Sequence, residues 1–191
     1  MAESKNKVRF GLSNVHIAMI TESGFGTPIP IPGAVSLSCD PEGDSEKFFA
    51  DNGAYYTIVT NSGYTGELEM ALIPDSVKVE IFGWEIDKNG ALVEIADAVP
   101  NPFALLFKVN GDAKNRDNVF YNCTAERPKT EDKTTEDKAS PSTEKLPITM
   151  IPKNIGGKNV TKLSIEPSES NATAIADFYK EVLEPDFTVA A

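Results

Sequence analysis

The stretch AYYTIVTNSGYTGELEMALIPD, residues 54–75, limits the possible folds more than any other part of this chain. Residues 55–60 are dense in aromatic and β-branched side chains, which suit a pleated strand. Asn61, Ser62 and Gly63 tolerate positive φ and are expected to turn the chain. From Tyr64 the pattern alternates, with Gly66, Leu68, Met70 and Leu72 on one side and Thr65, Glu67, Glu69 and Ala71 on the other. A period of two with one apolar and one polar side marks a strand lying between a core and water. Pro74 and Asp75 end it, and residues 76–82 are expected to form a short helix.

The same pattern recurs along the chain. Val15, Ile17 and Met19 share one side of a first strand. Pro28, Pro30 and Pro32 then exclude helix and central strand, leaving an extended arm or a sheet edge. Val35, Leu37 and Cys39 read as one face of a second strand. Residues 40–53 read as a long acidic loop carrying Glu42, Asp44 and the adjacent pair Phe48 and Phe49. Two neighbouring phenylalanines in a polar loop need a partner surface. The other aromatics, Tyr55 and Tyr56 included, are expected in the core.

Residues 84–96 read as a hairpin turned at Asn89 and Gly90. Phe103, Leu105, Phe107 and Val109 share one strand face, and Val119, Tyr121 and Cys123 another. Residues 128–143 form a polar segment in which Thr-Glu-Asp-Lys occurs twice, at 130 and 135, and which is expected to be a mobile loop. Residues 144–151 and 160–165 read as strands, with a turn at Gly156 and Gly157. Asn171 is placed to cap a final helix whose apolar positions run from Ala174 to Leu183, until Pro185 ends it. The expected fold is mainly β, a sandwich or barrel with one or two short flanking helices and long loops. With 191 residues and 40% apolar content, one domain accounts for the chain. Residues 1–13 are expected as an N-terminal arm and 185–191 as a C-terminal tail.

Charge narrows the function classes. A formal net charge of −11 with no basic stripe disfavours binding to phosphate backbones or anionic membranes. Residues 1–7 are polar and no apolar stretch follows, so no secretory signal is expected. Cys39 and Cys123 fall in strand-like alternation and suit buried free thiols, although spacing alone leaves a disulfide between them open.

Motifs for chemistry are sparse. His16 is the only histidine, has no nucleophile motif beside it, and is expected to be structural. One histidine and two distant cysteines match no zinc spacing. Asp40, Glu42 and Asp44 alternate as in a calcium loop, but Ser45 stands where glycine is needed and Asp51 where the bidentate glutamate belongs. Glu67 and Glu69 lie on the wet side of one strand, where carboxylates solubilise. No catalytic residues, cofactor or metal are therefore expected.

Several stretches together carry a resemblance: VRFGLSNVHIAMIT (8–21), GTPIPIPGAVSLSCDPEGD (26–44), FFADNGAYYTIVTNSGYTGELEMALIPD (48–75), NPFALLFKVNGD (101–112), YNCTAERP (121–128) and ATAIADFYKEVLEP (172–185). In that order they resemble the major tail proteins, or tail tube subunits, of long non-contractile-tailed phages and prophages of Gram-positive bacteria. The resemblance implies a virion protein of tail-tube-type β fold that assembles in the host cytoplasm into stacked hexameric rings. DNA would pass through the lumen without specific binding. The implied partners are further copies of the chain, the tape-measure protein, the tail terminator and the distal tail or baseplate proteins, with no membrane.

On that reading Glu42, Asp44, Phe48 and Phe49 are candidate contacts between subunits or rings, and Glu67 and Glu69 are candidate lumen-facing acids. The N-terminal segment, the 40–53 loop and the C-terminal tail are candidate stacking arms. Two alternatives share the sequence features. One is a ring protein of a bacterial injection system, which neighbouring genes would distinguish. The other is a monomeric β-sandwich module binding sugar or peptide, which predicts an exposed aromatic platform on a stable monomer.

Overall fold

A computed structural model describes residues 10–50, 52–129 and 142–188. Most of the expected arm at 1–13 and of the polar loop at 128–143 lies outside the described residues, as do residues 189–191 of the C-terminal tail. The alternating segments form β1 (Leu12–Thr21), β2 (Gly24–Phe25), β3 (Ile29–Pro30), β4 (Ala34–Glu42), β5 (Ser45–Ala50), β6 (Gly53–Val59) and β7 (Gly63–Met70). Helix α1 (Asp75–Phe82) follows, then β8 (Glu85–Ile86), β9 (Leu92–Val93), β10 (Phe103–Val109), β11 (Asp117–Ala125) and β12 (Glu144–Met150). The chain closes with β13 (Lys153–Ile155), β14 (Lys158–Val160), β15 (Lys162–Ile165) and α2 (Ala172–Asp177).

The main sheet runs β2-β1-β10-β11-β12-β7-β4, with β15 added on β11 and β3 on β1. It is antiparallel at every pairing. The sheet curls, so that β1 and β4 face each other across a core without closing a barrel, and the fold is mainly β and sandwich-like. Leu68, Met70, Phe103, Leu105, Phe120 and Ile148 fill that core, and α1 plugs it with Val77, Ile81 and Phe82. Pro74 stands before α1, and Gly83 follows it in the left-handed conformation, its N–H bonded to the Val79 carbonyl. Pro30 sits in the short edge strand β3, where a missing N–H costs no ladder bond.

A second, smaller core lies on the outer face of β1, β10 and β11, built from Ala18, Leu106, Val119, Tyr121 and Phe178. Strand β10 is therefore buried on both faces, which explains its unbroken apolar run. The C-terminal segment covers this second core through Phe178, Tyr179, Val182 and Leu183. Two tyrosines pin it. Tyr121 Oη donates to the Leu183 carbonyl at 2.6 Å, and Tyr179 Oη donates to Asp117 Oδ1 at 2.7 Å. Burial raises both phenol pKa values, and for Tyr179 the bond to Asp117 adds to it, so both remain donors. Asp117 is almost fully buried, and its other oxygen faces Lys108 Nζ at 3.5 Å. His16 packs against Tyr179 at 4.8 Å between ring centroids, the rings tilted by 39°.

Several expectations change. Val119, Tyr121 and Cys123 do not share a face, because the register between β10 and β11 shifts by one residue between Phe103 and Leu105. That bulge leaves Val119 and Tyr121 in the outer core and swings Cys123 into the inner one. A similar shift between Ala34 and Ser36 turns Val35 out to solvent while Leu37 and Cys39 face the core. Leu72 lies beyond the end of β7 and is exposed. The final helix stops at Asp177, and the backbone continues in tighter turns that still lay its apolar side chains on the sheet. Asn171 does not cap α2. Its side chain instead accepts from Ser168 N and donates to the Glu166 carbonyl, ordering the preceding turn.

The β10–β11 connection is held by a two-pronged ion pair: Arg116 Nε and Nη2 donate to Asp112 Oδ2 and Oδ1 at 2.7 and 3.1 Å. Those bonds hold the Asp112 carboxyl down at about 2, against an ordinary value of 3.8. A carboxylate with a depressed folded pKa adds stability above its unfolded pKa and loses it as pH falls through the folded one. The stability gap between wild type and Asp112→Asn is therefore expected to shrink from about pH 4 to about pH 2. Urea midpoints of both proteins across that range measure it. A constant gap would mean that the pair does not form in solution.

Candidate assembly surfaces

Residues 40–53 are not a loop. Strand β4 runs through Glu42 and continues as β5, while β6 continues as β7, so 34–70 is one long two-stranded ribbon. Ser62 N donates to the Glu42 carbonyl and Thr60 N to the Asp44 carbonyl, carrying the pairing across the junction. Gly43 lies there without room for a side chain, since a Cβ would overlap the Thr60 carbonyl oxygen. Asn61, Ser62 and Gly63 are thus an irregularity within the ribbon and not its turn. The ribbon reverses between Ala50 and its partner Gly53, with Asn52 at φ 66°.

Beyond the sheet the ribbon projects by six residues, about 20 Å. Phe48 pairs across it with Tyr56, and a bulge separates this pair from Phe49. The exposures of Phe48, Phe49, Tyr55 and Tyr56 are 61, 66, 74 and 63%, and Val59 at the base is also exposed. Tyr55 and Tyr56, expected in the core, are therefore on the arm. The cue was present: Phe-Phe and Tyr-Tyr stand on either side of Asn52-Gly53, the strongest short hairpin signal. Glu42 and Asp44 flank the arm's root, exposed, and their backbones carry its hydrogen bonds.

A second surface is the outer face of β4, β7, β12 and the end of β11. Directly opposed residues of antiparallel strands share a face. Asp40, Thr65, Thr149 and Thr124 therefore form one row across four strands. Ser38, Glu67 and Pro147 form the next, and Ser36, Glu69 and Lys145 a third. Both sequence-selected acids lie here. Glu67 pairs with Lys145 Nζ at 2.9 Å. Glu69 accepts from Thr143 Oγ1 at 2.6 Å and Ser36 Oγ at 3.0 Å, and these bonds lower its pKa. The face is polar and mixed in charge, less acidic than two bare glutamates would make it. An edge of β4 bounds it: among the described residues, β4 pairs only with β7.

A third feature is an open cleft of about 560 Å³ where the β1–β10 side faces β4. Leu12, Leu37, Tyr64, Phe107 and Phe120 line it, with Phe10 at the rim. Lys162 Nζ lies 5.0 and 5.7 Å from the Phe120 and Phe107 ring centroids. Cys39 also lines the cleft, and both cysteines are free thiols. Burial pushes the Cys39 thiol up to about 11, and that of Cys123 further still. At pH 8 a thiol with a pKa near 11 is about 100-fold less ionised than an ordinary one near 9. Alkylation of native Cys39 is expected to be slower by about that factor than after unfolding, with Cys123 silent until unfolding. Timed iodoacetamide labelling read by mass spectrometry checks this. Rapid native labelling of both would contradict the packing.

Among the described residues, no three His, Cys, Asp or Glu side chains converge to hold a metal ion. No protein-family model matches the chain. No curated protein matches it either. Among solved structures, the chain is similar to the anti-feeding prophage cap, a tube-terminating cap determined by cryo-EM, at 9% sequence identity. The match covers 87% of this chain and 100% of that one, with a TM-score of 0.48.

Proposed function

We propose that this chain is a structural subunit of a phage-type tail tube, with no enzymatic role. Copies assemble into stacked rings, six-fold as the sequence resemblance implies, around a lumen that passes DNA without binding it specifically. The observation that carries the reading is the aromatic arm. A lone two-stranded ribbon is marginal in water, and four exposed aromatic rings on it gain stability only when another surface covers them.

Two further features support the reading. The outer edge of β4, unpaired among the described residues, is suited to pairing with a neighbouring copy, which removes an aggregation-prone edge by ring closure. The polar outer face, carrying Glu67 and Glu69, suits a conduit wall that does not hold phosphate. Glu42, Asp44, Phe48 and Phe49 then serve contacts between copies. Further partners are the tape-measure protein and the terminator and distal proteins at the tube ends. The place of action is the virion tail, after assembly in the host cytoplasm.

Electron microscopy and light scattering of the purified chain over a concentration series test this. Rings or tubes of uniform width are the expected result. A species that stays monomeric at high concentration, even with tail-tip complex added as initiator, would overturn the reading in favour of a binding module.

A further inference from the structure

We infer that the aromatic arm is a two-sided wedge seated between two further copies of this chain, one copy against each face. This rests on the tube-subunit reading and adds how many neighbours one arm engages. Successive residues of a strand point to opposite faces. The bulge beside Phe48 and Phe49 is taken up on β6, where Tyr55 is the unpaired residue, so β5 keeps its regular alternation. Phe48 and Phe49 therefore point to opposite faces of the ribbon. Tyr56, directly opposite Phe48, joins it on one face. Val59, opposite Ser45 at the root, lies on the face of Phe49.

Both faces are bare in the single chain. Phe48 and Tyr56 are 61 and 63% exposed on one, and Phe49 and Val59 are 66 and 75% exposed on the other. A strand covered on one face alternates apolar with polar side chains, whereas a strand covered on both faces carries adjacent apolar ones. Strand β7 follows the first pattern, with Leu68 and Met70 inward and Glu67 and Glu69 outward. Strand β10 follows the second and is buried on both faces. The outer half of the arm also follows the second, with Phe48 beside Phe49 and Tyr55 beside Tyr56. It has the side chains of a doubly covered ribbon and lacks the covers.

Area decides which partner fits. A fully covered aromatic side chain buries about 150–250 Å². At the exposures above, Phe48 and Tyr56 together offer roughly 200–300 Å² on their face. A stable pairwise interface takes roughly 800 Å² from each partner. One face is thus too small to hold a lone partner, and a single foreign protein seated on it would leave the other face wet. In a closed assembly of identical copies every chain has a neighbour on each side, and the same small contact is made at every copy at once. Further copies of the chain meet both requirements, a cover for each face and many repeats of a contact that is weak alone.

The test uses the full chain with Phe48→p-benzoylphenylalanine, Phe49→p-benzoylphenylalanine, or both replacements together. Each labelled chain is diluted into a large excess of wild type, so that unmodified copies build the assembly, and the pelleted tubes are irradiated and run on denaturing gels. Where the bulky label keeps a chain out of the pellet, p-azidophenylalanine, closer to phenylalanine in size, takes its place. Each single replacement is expected to give covalent dimers and no trimers. The double replacement is expected to give trimers, at the product of the two single-site yields. Doubly linked dimers in place of trimers would show one neighbour embracing both faces and would overturn the inference. So would tubes in which either site forms no link to another chain, since that face is then left to solvent or to its own chain; in both cases the tube reading stands. Wild-type chain that assembles under no condition would overturn the tube reading and the inference with it.

Discussion

Replacing Phe48, Phe49, Tyr55 and Tyr56 together by serine is expected to abolish assembly and leave the folded monomer almost unchanged. The arm is the most apolar exposed element among the described residues, and its rings touch nothing that the core depends on. Surface substitutions away from packed features usually change stability by no more than about 0.5 kcal/mol. For a chain of this size each such change moves the melting temperature by about 1–2 °C, and four together by no more than about 4–8 °C. Buried aromatic anchors at interfaces each contribute about 2 kcal/mol or more, and every 1.4 kcal/mol is about tenfold in affinity. Losing four such anchors lowers each contact by several orders of magnitude. A ring repeats that loss at every copy. Sedimentation, electron microscopy and a thermal melt measure the two effects separately. Val99→Ser serves as the control: Val99 is 79% exposed but lies off the arm, and its replacement is expected to leave assembly intact. Unchanged tube formation in the quadruple variant would remove the arm from the assembly mechanism.

The arm also shows where the sequence could be read and where it could not. The alternation from Tyr64 to Met70, the apolar run of β10 and the helix after Pro74 were legible because period and punctuation agree there. The arm is hidden in the sequence because two turn signals compete within ten residues. Asn52-Gly53 turns the ribbon, whereas Asn61 to Gly63 only bends it opposite Gly43. Acidic residues around Phe48 and Phe49 then looked like loop composition. The bulges left no mark at all. One extra residue opposite Phe103 or Ala34 inverts which side chains face inward, and no composition change accompanies it. Simple alternation therefore gives the wrong face for Val35 and Cys123. Alternation puts Glu67 and Glu69 on the polar side of β7, where the sheet has them, but it does not show their partners. Lys145, Thr143 and Ser36 come from strands that only the sheet order brings beside β7.

Phe178→Ala is expected to destabilise the monomer by about 3–5 kcal/mol, the range for removing a fully buried phenylalanine. Domains of this kind are stable by only about 5–15 kcal/mol in total, so the change consumes a large part of the margin. Phe178 sits at the end of α2 with no exposed surface and closes the outer core over Ala18, Leu106 and Val119. Its loss also loosens the segment that Tyr121 and Tyr179 hold. If the C-terminal segment then lifts away, Asp117 loses its tyrosine donor and keeps Lys108 at 3.5 Å. A buried carboxylate left short of donors adds to the cost. Two readouts separate packing from pinning. Chemical denaturation gives the total loss, and limited proteolysis reports whether residues 178–188 become cleavable while the inner core stays folded. Tyr179→Phe keeps the packing and removes the hydroxyl's bonds, chiefly that to Asp117, and is expected to cost about 1.5–3 kcal/mol, the range for a hydrogen bond to a charged group. A Phe178→Ala protein that melts like wild type would show that the outer core does not contribute to folding. The curled inner sheet and its helix plug would then stand alone.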